Sequence, residues 1–151
     1  REWLMRLIEH RWDELVGAAP LRIVHPALEG EEWRIVTGAD EKNRPWCYHN
    51  GGSWPALLWS FANATVSSGR PDLLERALEA AEARLDGDAW VEYYDGRTDP
   101  RPGARARRLQ SWSMGAYLYA RACLDDPAAV RLYCWMDRMD EVEPEEAGVE
   151  R

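Results

Sequence analysis

Apolar residues recur every three or four positions in five segments of the chain, which predicts five amphipathic helices. The predicted helices cover residues 3–16, 53–68, 71–85, 108–124 and 127–137. Ser53 and Pro55 are expected to begin the second helix, and Gly69 is expected to end it. Because a short turn joins this helix to the next and no strand–helix alternation is present, the pattern predicts an all-α fold of helical hairpins.

Two long segments, residues 17–52 and 88–107, break the helical pattern. We expect no helix in the first segment, because glycines and prolines interrupt it throughout. Long irregular segments in a compact domain are usually functional or disordered, and the aromatic residues present here argue against disorder. The sequence therefore predicts that these two loops carry the function.

The composition limits what that function can be. Hydrophobic residues make up 46% of the 151 residues and charged residues 30%, which is typical of a soluble globular domain. The net charge of −8 argues against nucleic-acid binding, and no apolar run approaches the roughly 20 residues of a membrane span. Three irregularly spaced cysteines fit free thiols in a reducing cytosol, so we expect a cytoplasmic protein. No metal is expected, because neither the cysteines nor the three dispersed histidines form a ligand motif.

The first candidate site lies towards the end of the first loop. Trp and Tyr side chains stand there among Asp40, His49 and Asn50. A sugar ring needs a flat apolar platform and polar groups that hydrogen-bond its hydroxyls, and this loop offers both. The adjacent Gly51 and Gly52 would let the backbone approach a ligand. The alternative, which composition leaves equally open, is that the tryptophans fill a core and the glycines only form turns.

Glu92 is the second candidate, because aromatic residues flank it in the other loop. A carboxylate partly removed from water suits general acid or base chemistry, and glycoside hydrolysis uses two such carboxylates. An isolated loop glutamate is more often solvated or a helix cap, and that alternative stays open. The nearby Arg105, Arg107 and Arg108 are expected mainly to pair with local acids rather than to bind phosphate.

Several motifs follow one another in unbroken order over most of the chain. They are Arg-Trp-Asp-Glu-Leu-Val-Gly at 11–17, Glu-Trp-Arg-Ile-Val-Thr-Gly at 32–38, Pro-Trp-Cys-Tyr-His-Asn-Gly-Gly-Ser-Trp-Pro at 45–55, Glu-Tyr-Tyr-Asp at 92–95 and Ala-Arg-Arg-Leu-Gln-Ser-Trp at 106–112. Together they closely resemble the alkaline/neutral invertases, a sucrose-cleaving family found in plants, cyanobacteria and other bacteria. The resemblance covers residues 3 to about 125.

The resemblance implies an (α/α)6 barrel of a dozen helices around a sucrose pocket. Residues 1–138 would form the C-terminal portion of that barrel, and residues 139–151 an acidic, disordered tail. The implied reaction is hydrolysis of the bond between glucose and fructose, with no cofactor and no metal. The expected partners are sucrose or a related disaccharide and the N-terminal part of the same barrel. No nucleic acid and no membrane are expected, and homo-oligomerisation stays open.

The resemblance also implies roles for individual residues. Glu92 would be one of two catalytic carboxylates, with a preferred role as the base that activates water in an inverting mechanism and a nucleophilic role as the alternative. The general acid would be an Asp outside this chain, and Asp40 is a candidate only if the roles are assigned differently. The residues expected to line the sugar pocket are Asp40, His49, Asn50, Trp54, Gln110 and Arg107.

Because one carboxylate is missing, we expect the chain to be inactive alone and sucrose hydrolysis to need the full-length enzyme. Two other hypotheses are open: a truncated, catalytically inactive carbohydrate-binding helical module, and a helical scaffold without a ligand. The absence of an initiating Met favours the first hypothesis, an enzyme of which this chain is a portion.

Overall fold

Six α-helices, three short 3-10 turns and one two-stranded hairpin are present in the computed structural model, which describes residues 1–132. The helices are α1 (Glu2–His10), α2 (Trp12–Leu15), α3 (Glu32–Val36), α4 (Leu58–Ser67), α5 (Pro71–Leu85) and α6 (Ser111–Asp125). The 3-10 turns are Glu41–Asn43, Pro55–Leu57 and Pro127–Leu132. Strands β1 (Tyr94–Asp95) and β2 (Arg101–Pro102) pair antiparallel. The described chain is therefore mostly helical, in agreement with the all-α prediction.

Helices α4, α5 and α6 form the centre of the core. The fully buried side chains at their contacts are mostly Leu and Ala: Leu58, Ala62, Leu74, Ala77, Leu78, Ala81, Ala120 and Cys123. Burying one leucine contributes on the order of 1.5–3 kcal/mol, so these apolar contacts stabilise the fold. The predicted helix 71–85 is confirmed with the same bounds, because Pro71 at its first position and Arg84 in its last turn both suit the ends of a helix.

Two predictions about the first half of the chain are wrong. The predicted helix 3–16 is interrupted at Arg11, whose backbone angles (φ −110°, ψ 32°) separate α1 from the single-turn α2. The first loop also contains helical structure, namely α3 and the 3-10 turn Glu41–Asn43. Helix α3 has only five residues, and Trp33 is the one that is buried. Such a short helix with one buried side chain produces no recognisable apolar period in the sequence.

Ser53 does not cap a helix, contrary to expectation. Its N–H donates to the Tyr94 carbonyl at 2.9 Å, and its carbonyl accepts the Tyr94 N–H at 2.8 Å. The helix begins after it, with the 3-10 turn Pro55–Leu57. On the other side, Trp54 N–H donates to the Leu21 carbonyl at 2.8 Å. The extended segments that thus lie side by side are residues 21–23, 52–54, 94–95 and 101–102. This pairing brings the two functional loops into contact.

The predicted barrel and tail reach beyond the described residues. Residues 133–137 of the last predicted helix and the predicted tail at 139–151 lie outside them. The (α/α)6 barrel stays a prediction, because a barrel of a dozen helices needs a longer chain than the one described. No helix within residues 1–132 combines the length and the apolar character that crossing a bilayer requires.

Candidate functional site

Four aromatic side chains from the two loops form one continuous cluster. The Tyr48 and His49 rings stack with their centroids 3.9 Å apart, and His49 lies 5.0 Å from Trp54. Trp54 stacks on Tyr93 at 5.0 Å, and Tyr48 meets Tyr93 edge-on at 4.8 Å. Trp54 and Tyr93 are buried, whereas His49 is exposed and Tyr48 is half-buried. The cluster therefore has a buried part, formed by Trp54 and Tyr93, and an accessible part, formed by Tyr48 and His49, which suits a sugar ring.

Asn50 holds the loop that carries this cluster. Its Oδ1 accepts the Leu28 N–H at 2.7 Å, and its Nδ2 donates to the carbonyls of Leu28 and Asn43, both at 3.0 Å. The side chain is buried, and both amide hydrogens are engaged with the backbone. These contacts give Asn50 a structural role in the loop, and its predicted contact with sugar stays a prediction.

Asp95 joins the same loop to the second one. Its Oδ1 accepts the Tyr48 N–H at 2.9 Å, and its Oδ2 accepts the Ala104 N–H at 3.2 Å. Tyr48 has φ 43°, a left-handed conformation that costs a non-glycine residue roughly 1–3 kcal/mol, so such support is needed there. The Glu-Tyr-Tyr-Asp motif included Asp95, but sequence reasoning assigned it no role, because its partners are distant in the sequence.

The glycines of the site allow close contact between protein segments. A Cβ atom on Gly52 would lie 2.4 Å from the Tyr48 carbonyl oxygen, and one on Gly103 would lie 2.0 Å from Cε2 of Tyr93. Both positions therefore need glycine. The expected reason was approach to a ligand, but the close approach at Gly52 is to the backbone of Tyr48 and Tyr94.

Trp46 has a structural role that agrees with the alternative interpretation of the tryptophans. The guanidinium groups of Arg22 and Arg97 lie 5.2 and 4.8 Å from the centroid of its ring, and its Nε1 donates to Glu29 at 2.9 Å. Arg22 also donates to the carbonyls of Gly51 at 2.7 Å and of residue 96 at 3.2 Å. Sequence reasoning missed Arg22, since nothing local marks an arginine whose partners are loop carbonyls.

Glu92 and Arg107 are paired through backbone and side-chain atoms. Glu92 N–H donates to the Arg107 carbonyl at 2.8 Å, and Arg107 N–H donates to Oε2 of Glu92 at 3.1 Å. The half-buried carboxylate is thus fixed by one oxygen. Within residues 1–132, the other oxygen and the exposed Arg107 guanidinium make no hydrogen bond. Both are accordingly available to a substrate or a water molecule.

Asp40 and Lys42 stand at one side of the cluster. Oδ1 of Asp40 accepts the Lys42 N–H at 3.0 Å, and its Oδ2 lies 3.7 Å from Nζ of Lys42. The backbone hydrogen bond, aided by the charge of Lys42, lowers the pKa of Asp40 below its usual value. These residues line a polar cleft of about 160 Å3 together with Tyr93, Asp95 and Arg105.

Charged residues from both loops affect the pKa of His49. Partial desolvation of the His49 ring by the neighbouring aromatic side chains lowers its pKa, and the charge of Lys42 lowers it further. Glu92 and Asp40 act in the opposite direction, which means that both carboxylates lie within electrostatic range of the ring. Three charged groups, Lys42, Glu92 and Asp40, therefore act on a single imidazole.

Comparison with known protein families shows to which family the chain belongs. The family model described as alkaline and neutral invertase matches residues 1–127. The chain belongs to the alkaline and neutral invertase family. The resemblance found in the motifs is thereby confirmed.

Similar invertases come from two plants. Probable alkaline/neutral invertase D of Arabidopsis thaliana is 54% identical over 125 residues, which cover 83% of this chain and 23% of that protein. Cytosolic invertase 1 of Oryza sativa subsp. japonica is 53% identical over 125 residues, 83% of this chain and 22% of that protein. Neutral/alkaline invertase 1, mitochondrial, of the same plant is 52% identical over 126 residues, 83% and 20% of the two chains. The chain thus spans less than a quarter of these invertases, whose names give two different compartments.

The predicted site residues of this invertase-family chain differ in their position relative to the aromatic cluster. His49 and Trp54 lie in the aromatic cluster, with the charges of Glu92 and Asp40 in range of His49. Arg107 adjoins Glu92, and the side chain of Asn50 binds the backbone of its own loop. Gln110 stands at the start of α6, where its N–H donates to the Trp90 carbonyl at 3.0 Å. Among the described residues, no hydrogen bond joins Gln110 to the cluster, so its predicted role depends on the substrate reaching it.

Proposed function

We propose that the complete protein carrying this chain hydrolyses sucrose to glucose and fructose, with Glu92 as one of two catalytic carboxylates. The relatives named above are invertases, which supports the reaction. The observation that carries the assignment of Glu92 is its position. Its carboxylate is oriented by the Arg107 N–H, keeps one oxygen without a partner among residues 1–132, and lies in electrostatic range of the exposed His49.

In this mechanism Glu92 acts as the base. Its unengaged oxygen takes a proton from water while the water attacks the anomeric carbon of glucose, and a second carboxylic acid protonates the leaving fructose oxygen. The lowered pKa of Asp40 keeps that carboxyl ionised at neutral pH, so it is a poor proton donor. The resemblance to the invertases implies that the general acid is an Asp outside this chain, and that residues 1–138 contribute to an (α/α)6 barrel that the rest of the protein completes.

The remaining residues bind the sugar. A pyranose or furanose ring lies against the accessible part of the cluster, where Tyr48 and His49 are stacked. The imidazole of His49 and the guanidinium of Arg107 hydrogen-bond its hydroxyls. Asp40, Asn50, Trp54 and Gln110 complete the pocket or support it. The reaction needs no metal and no cofactor.

Replacing Glu92 in the complete gene product tests the proposal. Glu92→Gln should lower kcat for sucrose by roughly 10²–10⁴-fold, because the amide cannot accept a proton. The unfolding midpoint should not change. Glu79→Gln is the matched control, since Glu79 is exposed on α5 and should leave turnover unchanged. Identifying the first-formed glucose anomer by NMR separates the two roles: β-glucose indicates Glu92 as base, and α-glucose indicates a nucleophile.

Other outcomes would redirect the assignment. Near-wild-type turnover by Glu92→Gln would remove Glu92 from the mechanism and leave Asp40 or Glu32 to be tested. A wild type that binds sucrose without cleaving it would favour the second candidate function, an inactive carbohydrate-binding helical module. That candidate is supported by the cluster itself, which forms within a chain whose described residues hold no paired proton donor for Glu92. For the isolated chain we propose the same result, binding without hydrolysis.

A further inference from the structure

Lys42 differs from every other cation of the chain. The sequence contains 19 Lys and Arg residues, and Lys42 is the only lysine among them. An ammonium is a compact charge with three rotatable donors, whereas a guanidinium is a planar fork, so the two are not equivalent at a binding site. The single lysine lies in the polar cleft beside the aromatic cluster.

The Lys42 side chain is held in place by its surroundings. Its Nζ lies 4.4 Å from the centroid of the Tyr48 ring and 3.7 Å from Oδ2 of Asp40, and the side chain is 30% exposed. The attraction of a cation to an aromatic face and to a carboxylate fixes the position of the ammonium. At 3.7 Å the contact with Asp40 is longer than an ordinary hydrogen bond, so it acts mainly through charge.

The donors of Lys42 are consequently not committed to a short hydrogen bond. Within residues 1–132, the carboxylate of Asp40 is the acceptor that its ammonium faces, at 3.7 Å. Arg22 and Arg84 also lie over aromatic rings, but both donate to backbone carbonyls, at 2.7 Å to Gly51 and 2.6 Å to Pro100. A partly buried ammonium that is held by a long ion pair and a ring contact keeps N–H groups for a ligand that carries several acceptors.

We propose that Lys42 is a specificity-determining residue that donates hydrogen bonds to hydroxyls of the sugar bound against Tyr48 and His49. This inference rests on the proposed function, because it requires a sugar at the cluster. The groups that carry charge near His49 are Lys42 and Asp40 from the 3-10 turn and Glu92 from the second loop. Lys42 is the cation among them, and its charge favours the neutral imidazole, which can both donate and accept hydrogen bonds.

Substitution of Lys42 in the complete gene product tests the inference. Lys42→Met keeps an apolar stem against Tyr48 and removes the charge and the donors. We expect the KM for sucrose, and the Kd from tryptophan fluorescence titration, to rise roughly 10–100-fold, the usual effect of losing a charged hydrogen-bond donor. Both kcat and Tm should change little.

Lys42→Arg should recover part of the affinity. Arg76→Met is the control, because Arg76 lies 4.1 Å over Trp12, in another cation–aromatic pair.

The pH profile of KM gives a readout that a structural role would not affect. Since Lys42 lowers the pKa of His49, its loss should raise that pKa and move the acid limb of the profile to higher pH. Unchanged affinity in Lys42→Met would overturn the inference. Equal losses of Tm, kcat and affinity in Lys42→Met and in Lys42→Arg would assign Lys42 a structural role and overturn it too.

The binding titration separates this inference from the proposed function. If the wild type binds sucrose but does not cleave it, the proposed hydrolysis is wrong and the Kd of the Lys42 variants still decides the role of Lys42. If the wild type cleaves sucrose and Lys42→Met binds it equally well, only the inference fails. A wild type that does not bind sucrose contradicts both.

Discussion

The helices α4, α5 and α6 meet through apolar side chains, whereas the loops around Glu92 meet through polar side chains that bind backbone atoms. Leu58, Leu74 and Leu78 at the helix contacts are fully buried and form no directional bonds. Asn50 and Asp95 in the loops each bind two or three specific backbone groups. Helix packing depends on volume and tolerates similar side chains, but loop geometry depends on single atoms. We therefore expect substitutions in the two regions to have different consequences.

The largest effect on stability is expected in the helices. Leu78→Ala removes a fully buried side chain from α5 and should lower the free energy of unfolding by about 2–5 kcal/mol, as large-to-small core substitutions do. Sucrose turnover per folded molecule should stay near that of the wild type. Leu78→Met is the control and should cost less than about 1.5 kcal/mol. Denaturant unfolding of the complete gene product measures both values. An unchanged unfolding midpoint in Leu78→Ala would show that this core contact contributes little.

Substitutions in the loops are expected to reduce stability less than the helix substitution Leu78→Ala, but to reduce the affinity for sucrose more. Asn50→Ala removes the hydrogen bonds to the partly buried N–H of Leu28 and to the carbonyls of Leu28 and Asn43, which should cost about 1–3 kcal/mol. Because the loop carries the aromatic cluster, the KM for sucrose should also rise.

Asn50→Asp keeps the acceptor for Leu28 but removes both donors. If the Asp variant matched the wild type in Tm and KM, the two donated hydrogen bonds would be irrelevant to the loop. Loss of stability without any change in KM, in either variant, would separate Asn50 from the site.

The smallest effect concerns the pH dependence of sucrose binding. The pKa of His49 lies below its ordinary value of about 6.5, first because of partial desolvation of the ring and then because of the charge of Lys42. The neutral ring should therefore persist as the pH falls past the usual range, and KM should rise only when the ring is protonated at lower pH.

His49→Gln should abolish this rise of KM at acid pH, and it should raise KM at neutral pH by roughly 2–10-fold, as expected for one lost hydrogen bond. Steady-state kinetics between pH 5 and 8, the range in which histidine titrates, measures both effects. An acid limb that survives in His49→Gln would assign it to another group.

The lowered pKa of His49 also makes the stability of the fold depend on pH, and stability, like sucrose binding, is expected to decrease at low pH. A depressed folded-state pKa means that the unfolded chain binds the proton more readily, so His49 contributes stability above its unfolded pKa. That contribution is lost as the pH falls through the folded-state pKa of His49.

The same contrast explains what the sequence could predict. Helix α5 was predicted with both ends, because Pro71 and a long apolar period are local signals. The local signal at Ser53 was misleading, because pairing with Tyr94 overrides a capping tendency. Asn50 binds Leu28, and Asp95 binds Tyr48, across 22 and 47 positions of sequence. No local pattern indicates such partners, and only the resemblance to the invertases suggested that His49, Trp54 and Glu92 belong together.

The central claim is that the loop cluster binds the sugar and that Glu92 supplies chemistry there. Its most direct test is the affinity of Glu92→Gln for sucrose, measured by tryptophan fluorescence titration of the complete gene product. Gln keeps the size of Glu92 and an oxygen that can accept the Arg107 N–H. We predict binding within a few-fold of the wild-type KM and almost no release of glucose. Glucose release at the wild-type rate, or loss of binding together with turnover, would contradict the claim.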